Sequence, residues 1–597
     1  MSVNIDRLIT QNKFKEAIAL IEQNLQLNPL CAHSYRCLAQ CLNKLKYTHQ
    51  AIQTYERCIE LEPHNVDIHI ELANLYLEVK DASSAYSILF DATKRAPDNI
   101  NVTNGLINVL SKLSPQIFIP EIQEGIIHCL NSKSANVSVL GWLCGNQLKL
   151  SPELKSPVLI SNAKHSQLLL SYLSTVINTD LELEQRLIQL REQLLKALIG
   201  GCQDTDTLKL ACAMCLQCFH NEYVFHISEL ELTQLIDYQT KAFRNLTELA
   251  TYLLTLCMYE QPSIQLTPII ESLLVSEYSD LFEDIAKKLF HEPLKEKQLR
   301  SSIETKTSIS NTVSQLVKSQ YEQNPYPRWQ VNNQVNATKL FRTEHNVNKP
   351  QLAVLIAGCG TGFEPVELAL LDNSLDITAM DLSVSSLAYG KRKALEHQLT
   401  NIRFVQGDIL NVHELNISFD VILCTGVLHH MESPEIGFES LTKCLSPNGI
   451  FQFALYSEMA RQPVVYAQDL IKREGLFPCL ADIKQLRQQV INAPKNSELF
   501  KLQYSDDFYS VSGCRDLCFN YVEHRFDLLK IDQMMSRHGI TFTGLSNVPN
   551  QVFNAFKEQY PEIGSERDFK NWHQFEQMHS GVFSGMYHVS AFKRSNH

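Results

Sequence analysis

Apolar residues in the first hundred positions fall at helical spacing and return with a long period. Ala17, Ala51 and Ala85 stand 34 residues apart, and Pro29, Pro63 and Pro97 keep the same step, each proline twelve residues beyond its alanine. Leu38-Ala39 and Leu72-Ala73 recur in register, with Leu42 and Tyr76 at matching places after them. Small residues let antiparallel helices approach, and a proline stops the second helix before the next begins. The period predicts helix pairs stacked as an array, and Leu106 and Leu110 carry it one helix further. From about 111 to 300 helical periodicity continues without that period and without a strand series. Within it, LELEQRLIQLREQLLKALIG (181–200) predicts an amphipathic helix from its leucine spacing.

At 352 the pattern changes to short apolar runs alternating with helical ones. LAVLIA, DITAM, NIRFVQ, FDVILC and GIFQFALYS predict five strands, and ITFTGLS (540–546) and GMYHVSAF two more. Strands alternating with helices predict a parallel sheet whose ligand crevice lies at the carboxyl ends of the strands. The first strand runs into GCGTG, where Gly358, Gly360 and Gly362 let a ligand approach the backbone. Asp381 closes the second strand, and Asp408 follows the third. The first acid suits a ribose diol; the second suits an adenine amino group or its neighbouring backbone. A dinucleotide site needs GxGxxG with a helix N-terminus facing pyrophosphate. Here the spacing is GxGxG, so a ligand with ribose, adenine and no phosphate fits, namely S-adenosylmethionine.

Two resemblances follow. The 34-residue period resembles the tetratricopeptide repeat. GCGTG, AMDLS, QGDIL and LSPNG, in that order over about residues 350–456, closely resemble the class I S-adenosylmethionine-dependent methyltransferases. Together they imply a multidomain chain: an all-α repeat solenoid (1–110), a helical middle region (111–304), and a Rossmann-like α/β methyltransferase domain (305–597) with an insertion over about 457–539. The second resemblance implies that Gly358, Cys359, Gly360 and Gly362 cradle the methionyl part of the cofactor. It puts Asp381 and Leu382 at the ribose, Asp408 and Ile409 at the adenine, and Thr425 and Gly426 beside the transferred methyl. Glu364 either touches the methionyl ammonium or favours the helix dipole.

The acceptor is read from YEQNPYPRW (321–329). Its NPYP imitates the Asn-Pro-Pro-Tyr grip of amide and base-amine methylators, but that grip follows strand four, where this chain has CTGVLHH. Val313, Leu316, Val317 and Tyr321 share a helical face that Pro325 and Pro327 end, leaving an extended strap placed to cross the mouth of the pocket. Either Tyr326, Arg328 and Trp329 line an acceptor channel, or the rings pack the domain edge and the arginine makes a salt bridge. Methyl transfer is an in-line displacement that rewards alignment. A lysine acceptor must also be presented as a neutral amine, at a cost of roughly 4 kcal/mol near neutral pH. Aromatic burial lowers that cost, which makes Tyr326, Trp329 and Tyr456 candidate walls, with Phe453 either a wall or a core residue. His429 or His430 is a candidate proton carrier; otherwise one caps the next segment and the other faces solvent. QCFHNEYVF (217–225), the strap, the CRDL and EHRF segments and the closing GMY look like bacterial tetratricopeptide-methyltransferase proteins. That group includes lysine methyltransferases acting on outer-membrane proteins.

Composition trims the alternatives. A net charge of −12 with 20% charged residues offers no broad footprint for nucleic acid. No run is long and apolar enough for a membrane span, and the N-terminus lacks a signal-peptide pattern, so a cytoplasmic protein is expected. Seventeen cysteines then read as reduced thiols. Cys212, Cys215 and Cys218, with His220 beside them, fall on one helical stripe that packs more readily than it binds zinc, and no metal is expected. The repeats either present a groove to a protein or peptide or only buttress the next domain; the leading reading is a protein methyltransferase acting on lysine, with the repeats recruiting its substrate. A small-molecule methyltransferase with a lid, or a scaffold whose methyltransferase-like domain does not catalyse, are the alternatives.

Overall fold

The computed structural model describes the chain except residues 1, 133–134, 156–158, 241–242, 244, 330–348, 350, 580, 584 and 595–597. It divides into two compact units, Met1–Leu190 and Arg191–His597.

The first unit begins with helices Ser2–Thr10, Phe14–Leu27, Ala32–Lys44, Thr48–Leu61, Val66–Glu78, Ala82–Arg95 and Ile100–Leu110. Their starts reproduce the period of the sequence. Ala17, Ala51 and Ala85 are fully buried, where a larger side chain would push neighbouring helices apart. Asn12, Lys46 and Lys80, also one period apart, take positive φ in the turns between paired helices. Beyond the repeats the unit stays helical.

The second unit is built on eight strands: β1 (Glu304–Thr305), β2 (Leu352–Ala357), β3 (Leu375–Asp381), β4 (Ile402–Gln406), β5 (Phe419–Thr425), β6 (Leu445–Tyr456), β7 (Ile540–Ser546) and β8 (Met586–Lys593). They form one sheet in the order β1-β4-β3-β2-β5-β6-β8-β7. β8 runs antiparallel to both its neighbours, and the other pairs are parallel. The order reverses between β2 and β5, and a crevice opens at their carboxyl ends. The central strands read as near-continuous apolar runs because helices cover both faces. The turn LSPNG is drawn into β6, whose register against β5 slips there.

The expected middle region is divided between the units, with residues 191–304 in the second. Polar contacts run between these residues and the sheet domain. Arg392, on the helix Val384–Glu396, pairs with Glu292 and Glu296, and Arg487 of the insertion donates to the Val224 carbonyl at 3.4 Å. Arg191 and Glu231 form a buried pair at 3.0 Å. Cys212, Cys215 and Cys218 are buried in the helix Thr205–His220. No helix among the described residues is long and apolar enough to cross a membrane.

The insertion after β6 is helical, with Gln462–Glu474, Leu480–Ile491 and Val511–Cys518, and short 3-10 turns between the last two. Its residues Arg461, Val464, Leu502, Asp507 and Asp516 roof a cavity of about 960 Å³ over the carboxyl ends of the strands.

Candidate active site

The cavity floor is the loop after β2. Gly358 and Cys359 both donate backbone N–H groups to the Met380 carbonyl, at 2.8 and 3.0 Å, which ties the loop to β3. Gly358 has φ of +75°, and a Cβ there would lie 2.4 Å from Val427 Cγ2. Gly360 has φ of +51°, and a Cβ would lie 2.8 Å from the Tyr326 carbonyl oxygen. Both positions therefore require glycine, the second because the strap lies directly on the loop.

Asp381, at the end of β3, organises this floor. Its Oδ2 accepts the Gly360 N–H and its Oδ1 the Ser383 N–H, each at 2.9 Å. Burial pushes its carboxyl up to about 6, against the pull of those backbone donors. Asp408 caps the 3-10 helix Ile409–Leu415, Oδ1 accepting the Leu410 N–H at 3.0 Å. Its Oδ2 is buried with no hydrogen-bond partner, and such an acceptor asks for a donor from a ligand. Gly358, Cys359, Gly360, Asp381, Leu382, Asp408, Ile409 and Thr425 all line the cavity. Gly362 lies outside that wall, where it packs against Gly390 of the next helix. Glu364 does line the cavity, and burial pushes its carboxyl to about 7.

The helix Thr312–Gln323 delivers the strap across this floor. Glu322 accepts the N–H groups of Val384 and Ser385 at 2.6 and 3.2 Å, which satisfies the start of the helix after Asp381. The Tyr326–Pro327 peptide is cis. The Tyr326 hydroxyl reaches into the cavity and donates to Asp507 Oδ1 at 2.6 Å, while Tyr321 donates to Asp516. Burial raises both of these carboxyls to about 6. Arg328 pairs with Glu222 at 3.2 Å, the salt-bridge reading of that residue. Trp329 is not a channel wall. It is 8% exposed, donates its indole N–H to the Thr361 carbonyl at 3.1 Å and packs edge-on against Phe363 at 5.5 Å, so it clamps the loop from behind.

Tyr456, at the end of β6, lines the chamber with its ring 3.8 Å from His429 and 3.8 Å from the Arg461 guanidinium. Arg461 is itself paired with Glu523. Neither histidine faces solvent. His430 lines the cavity, its Nδ1 lies 3.0 Å from the Val522 carbonyl, and burial lowers its pKa to about 4. His429 is fully buried behind Tyr456 with both ring nitrogens unpartnered, and burial holds it well below the usual imidazole range. It does not line the cavity and packs against the Tyr456 ring. Phe453 is 2% exposed against Phe438 and Phe451, a core residue and not a wall.

Two wall carboxylates and one residue that holds the strap escape a reading of the sequence. Asp507 and Asp516 lie in the insertion with no motif around them, and the SDDF and CRDL runs hold the only legible trace. Glu222 was hidden in QCFHNEYVF. It takes φ of +57°, accepts the Ser512 N–H at the start of Val511–Cys518, and holds Arg328 of the strap. A non-glycine residue in that conformation is uncommon and persists where its surroundings enforce it.

Residues 348–495 match the family model of a methyltransferase domain, and residues 48–106 that of a tetratricopeptide repeat. An uncharacterised protein of Synechococcus is 30% identical over 225 residues, covering 34% of this chain and 53% of the relative. The malonyl-[acyl-carrier protein] O-methyltransferase of Halalkalibacterium halodurans is 31% identical over 107 residues, covering 17% and 39%. The chain thus spans about half, or less, of the length of these relatives. Among solved structures, PKMT2 from Rickettsia typhi is similar at 16% identity over 41% of this chain and 49% of that one, with a TM-score of 0.32.

Proposed function

We propose that this chain, a tetratricopeptide array joined to a methyltransferase domain, is an S-adenosylmethionine-dependent methyltransferase whose acceptor is an amine, a lysine side chain of a protein recruited through the repeats. The observation that carries the amine reading is the charge of the chamber. Glu364, Glu367, Asp381, Asp408, Asp507 and Asp516 line it, against Arg461 and Lys501. Arg461 is engaged by Glu523, and Lys501 pairs with Glu498 at the surface. An acidic, half-enclosed wall attracts a cationic acceptor and repels a carboxylate or phenolate one.

In this reading Gly358, Cys359 and Gly360 take the methionyl part, Asp381 and Leu382 the ribose, and Asp408 and Ile409 the adenine. The bound cofactor supplies an electrophilic methyl on a sulfonium. Thr425 and Tyr456 stand where the acceptor enters. Asp507 and Asp516 hold its ammonium, and they keep a proton more readily than ordinary carboxylates because both titrate near 6. Tyr321 and Tyr326 fix those two carboxyls by donating to them. His430, neutral throughout the physiological range, adds a polar wall without charge.

The test is labelled methyl incorporation from S-adenosylmethionine into protein in a lysate. Asp381→Ala should abolish it together with cofactor binding by calorimetry, and failure of the unaltered chain to bind the cofactor ends the proposal. The roof formed by the insertion favours a second reading, a small amine enclosed beneath a lid. Deleting residues 1–110 separates them: turnover of a small amine survives the deletion, whereas methylation of a recruited protein falls.

A further inference from the structure

The first helix and the helix Ala32–Lys44 bring three potential ligands together at the start of the array. His33 and Cys37 are one helical turn apart on the same face, and Asp6 reaches them from Ser2–Thr10. His33 Nε2 lies 3.6 Å from Cys37 Sγ and 3.6 Å from Asp6 Oδ1, and Cys37 Sγ lies 3.9 Å from Asp6 Oδ1. The imidazole–carboxylate separation is too long for a direct hydrogen bond. It is close to what a shared ion would impose. Ligands at the distances usual for zinc, about 2.3 Å to sulfur and about 2.0–2.2 Å to nitrogen and oxygen, stand roughly 3.4–3.6 Å apart at tetrahedral angles. Small side-chain rotations close the remaining difference.

We propose that Asp6, His33 and Cys37 form a binding site for a divalent transition ion of the zinc class, with the fourth position open to water or an outside donor. Cys37 is buried, while the side chains of His33 and Asp6 are 50% and 56% exposed, so an ion enters from solvent and meets the sulfur last. The donor set of one thiolate, one imidazole and one carboxylate suits zinc or cobalt and not magnesium or calcium. Binding releases the Cys37 proton to solvent, so affinity falls as pH falls. The ion would clip the first helix to the array. That helix otherwise joins it through the small cluster of Ile5 with Ala17, Ile21, Cys37 and Cys41.

Cobalt(II) titration of the reduced full-length chain tests this. One equivalent should produce a thiolate-to-cobalt charge-transfer band with tetrahedral visible absorption, and zinc should displace it. His33→Asn and Cys37→Ser should each remove the band and weaken binding by roughly tenfold or more. His33 is half-exposed, so its variant decides the matter should Cys37→Ser fail to fold. Absence of the band in the unaltered chain, or its survival in His33→Asn, overturns the assignment and leaves a polar surface cluster.

Discussion

Asp516 offers a measurement that separates a chamber built for a cation from one that is merely polar. It is 8% exposed, it accepts the Tyr321 hydroxyl, and burial moves its carboxyl from 3.8 to about 6. The folded chain therefore holds this proton more tightly than the unfolded chain. Stability from this group is present below the unfolded value and is lost as pH rises through the folded one, because over that window the native state binds more protons. The gap corresponds to about 3 kcal/mol once both states are ionised. Asp516→Asn keeps an acceptor oxygen for Tyr321 and removes the charge. Allowing for relaxation of the site, the variant should be more stable than the unaltered chain by about 1–3 kcal/mol near pH 8, with the difference vanishing near pH 3, below the unfolded value. If the acceptor is the proposed amine, methyl transfer should fall by roughly 100-fold, since its ammonium would lose a partner and its proton an acceptor. Urea melts at both pH values, read beside labelled methyl incorporation, check this. A variant less stable near pH 8, or a difference that does not change with pH, refutes the reasoning.

Gly360→Ala places a Cβ 2.8 Å from the strap carbonyl at φ of +51°. The left-handed conformation costs about 1–2 kcal/mol and the strap must shift, so cofactor affinity by calorimetry should drop by tenfold or more; unchanged affinity would sink the close-approach argument. Trp329→Ala, which empties a buried site behind the loop, should lower stability by about 3–5 kcal/mol in denaturant melts; a solvent-like effect would mean the ring is not a clamp. Glu222→Gln weakens the link between Arg328 and the helix at Ser512. It should reduce kcat/KM by roughly tenfold with cofactor Kd unchanged, about 1–2 kcal/mol of lost alignment, and an equal loss in cofactor binding would point to general unfolding instead.

Repeats, strands and the glycine loop were readable along the chain because each depends on residues close in sequence. A 34-residue period needs only alanines and prolines at fixed offsets, and a strand entering GCGTG needs only its apolar run and three glycines. The same locality made Asp381 and Asp408 stand out, each at the end of a strand whose direction the pattern already implied. What folding alone settled are meetings between distant segments. Tyr326 finds Asp507 from 181 positions away, and Tyr321 finds Asp516 from 195. Asp6 reaches Cys37 across 31. No periodicity encodes such pairs, because a side chain's partner depends on where whole helices are laid against the sheet. Burial acts in the same way: Trp329 and Phe453 carry the chemistry of a channel wall in one dimension and His429 that of a proton carrier, and packing assigns all three to the interior.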